Sequence, residues 1–172
     1  MPHAITHILV PLLLVSVFRD FYIKKRSKKD FSLHYVLIAG LAGITPDIDI
    51  IIRQLQGYTH ILLIPIIFLF LFFIFRKADI KAKICNIGRH KLKLSLIFLM
   101  FSIGTFIHIF LDSMIWAPSQ IFSPFFSFEF GLNIVKNLSL VNQDNLMAIL
   151  DGSFFIIWLA YLELKHKISD FI

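Results

Sequence analysis

Residues 94–116 run for 23 positions with His108 and Asp112 as the only ionisable groups. A helix needs roughly 20 mainly apolar residues to cross a hydrocarbon layer ~30 Å thick, and this run meets that requirement. Further apolar stretches lie at 2–21, 32–45, 57–75 and 146–164. A soluble domain is about half apolar and about a quarter charged; this chain is 58% hydrophobic and 16% charged. The expected class is all-α: a polytopic bundle of about five transmembrane helices, forming one domain over 1–172. No length remains for a separate soluble domain.

The net charge of +6 raises nucleic acid as a partner, but its placement argues for a bilayer. The Lys and Arg residues cluster between Arg19 and Lys29, between Arg76 and Lys93, and at Lys165 and Lys167. Basic blocks on alternate loops are the positive-inside pattern, with anionic headgroups as their natural counterpart. This places the N-terminus outside and the C-terminus in the cytoplasm. The positive charge follows the first apolar stretch and no small-residue cleavage site is present, so residues 2–21 are not expected to be a cleaved signal peptide.

Local signals refine the elements. Pro2 suits a first helical position, and Pro11 is expected to kink helix one, which membrane helices tolerate. Gly40 and Gly43 permit close helix contact. Pro46 disfavours helix at Thr45, so Asp47 and Asp49 should fall in a turn. Thr59-His60 opens the third stretch. Ile80, Ile84 and Ile87 have helical spacing and suggest a short interfacial helix. Residues 117–145, rich in Phe, read as an aromatic segment at the membrane interface. The single Cys85 excludes an internal disulfide and a cysteine zinc site.

Depth groups the ionisable residues. At ~1.5 Å per residue from the inner end of each stretch, His7, Asp47, His60, His108 and Asp151 all lie about 20–23 Å up. Asp112 follows His108 by four positions, on the same helix face. Ionisable groups inside a membrane are costly and usually functional. Ser, Thr, Asn and Gln are the usual polar glue between helices, whereas imidazoles and carboxylates are ligand types for Zn, Mn or Fe. A metal site near the outer face is therefore expected, with His3 and Asp151 as further candidates. His34, His90 and His166 read as ordinary loop or interface residues.

Thr6-His7, Gly43-Ile44-Thr45-Pro46-Asp47-Ile48-Asp49, Gly57-Tyr58-Thr59-His60 and His108-Ile109-Phe110-Leu111-Asp112 occur in that order. Together they resemble the YdjM-like family of membrane-bound metal-dependent hydrolases, which is distantly similar to zinc-dependent phospholipase C. The later Trp116, Ser123-Pro124-Phe125-Phe126-Ser127 and Glu129-Phe130-Gly131 resemble the segment after the family's last motif. The resemblance implies metal ligands at His7, Asp47, Asp49, His60, His108 and Asp112. The phospholipase's second H-x-x-x-E ligand pair has no match here, with Asp151 the one substitute. Gln56 and Ile50 stand where the family often has a basic residue and a histidine. One or two ions, zinc foremost, are implied instead of a trinuclear cluster.

The leading function is a membrane-embedded metal-dependent hydrolase of phosphoester or lipid-like, amphipathic substrates. Asp47 or Asp49 would be the general base, and Thr59 would orient a ligand or cap helix three. The competing readings are an ion or proton transporter and a structural protein with a buried His/Asp network. The inner half of the third stretch, Ile66 to Phe75, carries no ionisable side chain, which weighs against an ion path.

Overall fold

The computed structural model describes residues 4–25, 31–48, 60–83, 89–116, 120–123, 125–132, 134–137 and 142–166. Five helices carry the fold: α1 (Ala4–Lys25), α2 (Leu33–Ala42), α3 (Leu63–Ile74), α4 (Leu94–Leu111) and α5 (Gln143–His166). A 3-10 turn, Thr45–Asp47, follows α2, and a π-helical turn, Asp112–Trp116, extends α4. One further helical turn, Ile134–Asn137, lies within the aromatic segment.

Three of these elements are long and apolar enough to cross a membrane: Ile5–Tyr22, Leu94–Ile115 and Gln143–Lys165. Helices α2 and α3, at 10 and 12 residues, rise only about 15 and 18 Å. Among the described residues, then, three helices have the length of a full span, with two shorter apolar helices beside them. Apolar content marked all five stretches, but it does not report where hydrogen bonding changes. Helix α2 gives way after Ala42 to the 3-10 turn ahead of Asp47, and α3 starts at Leu63, after His60. Helix α1 runs uninterrupted through Pro11.

The interfacial helix expected over Ile80–Ile87 is a second correction. Asp79–Lys83 (β1) and Arg89–Lys93 (β2) pair as an antiparallel hairpin, with Ile80 opposite Leu92 and Lys81 opposite Lys91. The stretch also alternates basic and apolar residues with period two, the strand signal, and cross-strand pairing favours that period. Position 84 and position 87 lie outside the described residues. The hairpin is tied to α4 where the Leu94 amide donates to the Ala78 carbonyl at 3.0 Å, and to α2 where the Lys93 amide donates to the Tyr35 hydroxyl at 2.8 Å.

The core forms where α1, α2 and α4 meet. Val36, Ala39 and Ala42 of α2 are fully buried, joined by Leu12 and Val15 of α1 and Met100 of α4. Small residues set how closely these helices approach. A Cβ on Gly104 would come within 2.5 Å of the Ala39 carbonyl oxygen and 2.6 Å of Ala42 Cβ. A Cβ on Gly43 would collide with the His7 carbonyl oxygen. Helix α3 packs along α4, where the buried Ser102 hydroxyl donates to the Pro65 carbonyl at 2.8 Å. Helix α5 packs on α1. Its outward face, like that of α3, is apolar and exposed, as at Phe70, Phe73, Phe155 and Ile156.

Overpacking of this kind costs about 1–3 kcal/mol. Gly104→Val is therefore expected to lower the thermal midpoint of the detergent-solubilised protein. Gly152, with no atom within 4 Å of an added Cβ, is the control: Gly152→Ala should leave the midpoint unchanged or raise it.

Candidate metal centre

Five side chains from separate parts of the chain converge. His7 comes from the first turn of α1, Asp47 from the 3-10 turn after α2, and His60 from the segment just before α3. His108 lies in the last turn of α4, and Asp112 opens the π turn. His7 and His108 form the buried floor, at 1% and 0% side-chain exposure. His60, Asp47 and Asp112 form the rim, at 17%, 18% and 15%. The π turn matters locally. Widened turns of this type often occur at functional sites, and here the widening starts at the carboxylate itself.

His108 is the centre of the cluster. Its Nδ1 lies 2.6 Å from the Gly43 carbonyl oxygen. A carbonyl only accepts, so Nδ1 carries the proton. The neutral ring must then present a bare lone pair at Nε2. That atom lies 3.2 Å from Asp112 Oδ2, 3.5 Å from Asp47 Oδ1 and 3.3 Å from His60 Nε2. His60 Nε2 is in turn 3.4 Å from Asp112 Oδ2 and 3.6 Å from Asp47 Oδ1.

These distances provide a test of fit. Four ligands placed tetrahedrally at bond lengths of ~2.0–2.1 Å stand about 3.3–3.4 Å apart. Five of the six separations among His60 Nε2, His108 Nε2, Asp47 Oδ1 and Asp112 Oδ2, all except that between the two carboxylates, span 3.2–3.6 Å. A lone pair facing two carboxylates is unfavourable in a poorly solvated pocket, and a proton or a divalent cation held between them would relieve it. The Gly43 carbonyl supplies the outer hydrogen bond that ligating histidines typically have.

His7 adds a second, overlapping group. Its ring stacks on that of His108 with centroids 3.9 Å apart, and its Nε2 lies 3.3 Å from Asp112 Oδ1. That contact is within charge-pair range but lacks hydrogen-bond alignment, so Asp112 Oδ1 and His7 Nδ1 are both buried without a hydrogen-bond partner. Asp112 thus turns one oxygen to His60 and His108 and the other to His7. Two groups could hold a metal ion: Asp47, His60 and His108, and His7, His108 and Asp112. Since Nδ1 of His108 is engaged by Gly43, its Nε2 can serve only one ion at a time.

The sequence-derived candidates divide clearly. His7, Asp47, His60, His108 and Asp112 come together. Asp151 does not face the cluster's nitrogens. It accepts from the Thr6 amide at 3.0 Å and from the Thr6 hydroxyl, holding the first turn of α1 to α5 next to His7. His3, Asp49 and Thr59 lie outside the described residues. The Gly43 carbonyl was not legible as a site group; Gly43 signalled only close packing, and a backbone oxygen has no sequence signature.

A model of the YdjM inner membrane protein family matches residues 1–167. The chain belongs to the YdjM inner membrane protein family. Comparisons with curated proteins and with solved structures return no match. For this YdjM-family chain the family and the apolar helices together establish a membrane protein, and the His/Asp cluster lies inside its helical bundle.

Zinc content of the purified YdjM-family protein, measured by elemental mass spectrometry after metal loading, should fall by at least tenfold in His108→Ala and Asp112→Ala. Asp151→Asn should retain the metal but lose stability, by about 1–3 kcal/mol for the weakened hold on the buried Thr6 groups. Equal metal content in all these variants would exclude the cluster as the site.

Proposed function

We propose that this chain is a membrane-embedded, zinc-dependent hydrolase of phosphoester or lipid-like substrates, with its site opening to the extracytoplasmic side. The observation that carries the reading is that His60 Nε2 and His108 Nε2 lie 3.2–3.6 Å from each other and from one oxygen each of Asp47 and Asp112, inside a bundle where ionisable groups are costly. His60, His108, Asp47 and Asp112 would hold the ion, with His7 bracing the second oxygen of Asp112. A bound zinc ion supplies a water of lowered pKa and polarises a phosphoryl oxygen.

The chain's own groups account for the remaining requirements. The Gly43 carbonyl holds the buried His108 ring so that its Nε2 faces the carboxylates. Asp47 lies at the accessible rim with Oδ1 toward the imidazoles. Its Oδ2 is then the atom suited to accept a proton from an attacking water. His60 shares this rim, and approach to the cluster is from their side. The Leu62 amide donates to the Ile121 carbonyl at 2.8 Å, which fastens the Phe-rich segment beside the entrance. Phe122, Phe125 and Phe126 of that segment are exposed and suit an amphipathic substrate.

A pathway for ions is a poorer fit. Below the cluster the bundle is closed by Leu12, Val15, Val36, Ala39 and Met100, which offer nothing to replace an ion's hydration shell. The basic blocks at the other end of the bundle support the outward-facing orientation.

The test is phosphodiester hydrolysis by the full chain in nanodiscs, with bis(p-nitrophenyl) phosphate and with a phospholipid. Chelation should abolish turnover and added zinc restore it. Asp47→Asn should lower kcat by roughly 10²–10⁴, the usual contribution of a positioned base. Turnover that is indifferent to chelation, or an Asp47→Asn enzyme as fast as the parent, would overturn the reading.

A further inference from the structure

About 22 Å of α1, from His7 to Tyr22 at ~1.5 Å per residue, separates the metal centre from a cavity at the basic end of the bundle. Helices α1 and α3 both pack on α4, and the cavity lies between them. Its volume is about 550 Å³, within the range of ~300–1,000 Å³ typical of small-molecule sites. Phe18, Tyr22, Phe31 and Phe72 form an aromatic wall, and Arg76, Lys93 and Ser95 bring the polar groups.

The wall is fixed in place. Phe31 is buried, packs within 6.0 Å of Tyr22 and 5.6 Å of Tyr35 by ring centroids, and has its carbonyl held by Arg19 Nε at 3.2 Å. Three observations then point to an anion. Arg76 and Lys93 each line the cavity, and neither forms an ion pair among the described residues. Ser95 is 4% exposed and lines the cavity, yet its hydroxyl makes no hydrogen bond among the described residues. The cavity also sits at the N-terminus of α4, the end of a helix that attracts negative charge. There Lys93 is the N-cap residue and supplies no side-chain cap. The Lys93 and Leu94 amides are already taken, by Tyr35 and Ala78, and Ser95 and Leu96, the next residues of this first turn, line the cavity.

Two cations, a buried hydroxyl and a helix N-terminus beside an aromatic wall match one amphiphile. We infer that this cavity binds an anionic phospholipid, its phosphate among Arg76, Lys93 and Ser95 and its glycerol and proximal acyl carbons against Phe18, Tyr22, Phe31 and Phe72. The site is separate from the metal centre and independent of any hydrolytic activity.

The experiment is native mass spectrometry of the delipidated full chain in detergent, titrated with dioleoylphosphatidylglycerol, dioleoylphosphatidylcholine and glycerol 3-phosphate. Phosphatidylglycerol should bind roughly tenfold more tightly than phosphatidylcholine, the scale of a charge-assisted contact. Arg76→Gln with Lys93→Gln should erase that preference, and Ser95→Ala should weaken it several-fold. Lys165→Gln, which removes a charge away from the cavity, should leave it intact. The inference is overturned if the two lipids bind alike, or if the preference survives both the double variant and Ser95→Ala. Glycerol 3-phosphate displacing the lipid at equal concentration would also overturn it, by showing a site for free phosphate.

Discussion

The hydrogen bond from His108 Nδ1 to the Gly43 carbonyl connects the packing of this protein to its chemistry. It exists because α2 stops at Ala42 and leaves an end carbonyl without a helical partner. That carbonyl reaches α4 because Ala39, Ala42 and Gly104 keep the two helices close. The bond then determines the tautomer of a fully buried imidazole and directs its lone pair at two carboxylates and a second imidazole. In the proposed reading, these atoms together would form the ligand set of one cation.

Depth was the most informative quantity in the sequence. Counting from the basic ends placed His7, Asp47, His60 and His108 at one level, and these residues meet in the folded chain with Asp112. These residues meet although the described parts of α2 and α3 are short, because both lead toward the cluster from one end of the bundle. The hairpin at Asp79–Lys83 and Arg89–Lys93 was misread because three isoleucines at helical spacing coexist with an alternating basic pattern, and pairing partners decide between two such periods. The π turn at Asp112 and the role of the Gly43 carbonyl were not legible, since both depend on backbone geometry that side-chain identity does not encode. Asp151 was level with the site for another reason: it secures the α1 turn that carries His7.

The fold also separates two kinds of charge. Imidazoles and carboxylates gather at one end of the bundle, in a nearly closed cluster. Arginine and lysine gather at the other, beside an open aromatic cavity. Between them lies a core cluster with no Asp, Glu, His, Lys or Arg among its described members. This division would let one short chain pair the proposed metal centre with the proposed lipid site.

The central claim is that His60, His108, Asp47 and Asp112 share one ion. An anomalous difference map recorded at the zinc edge from zinc-soaked crystals of the full chain tests it directly. The account predicts a single dominant peak within bonding distance of His60 Nε2 and His108 Nε2 and of one oxygen each from Asp47 and Asp112. A map with no peak at that point, and these side chains joined only by hydrogen bonds or water, would contradict it.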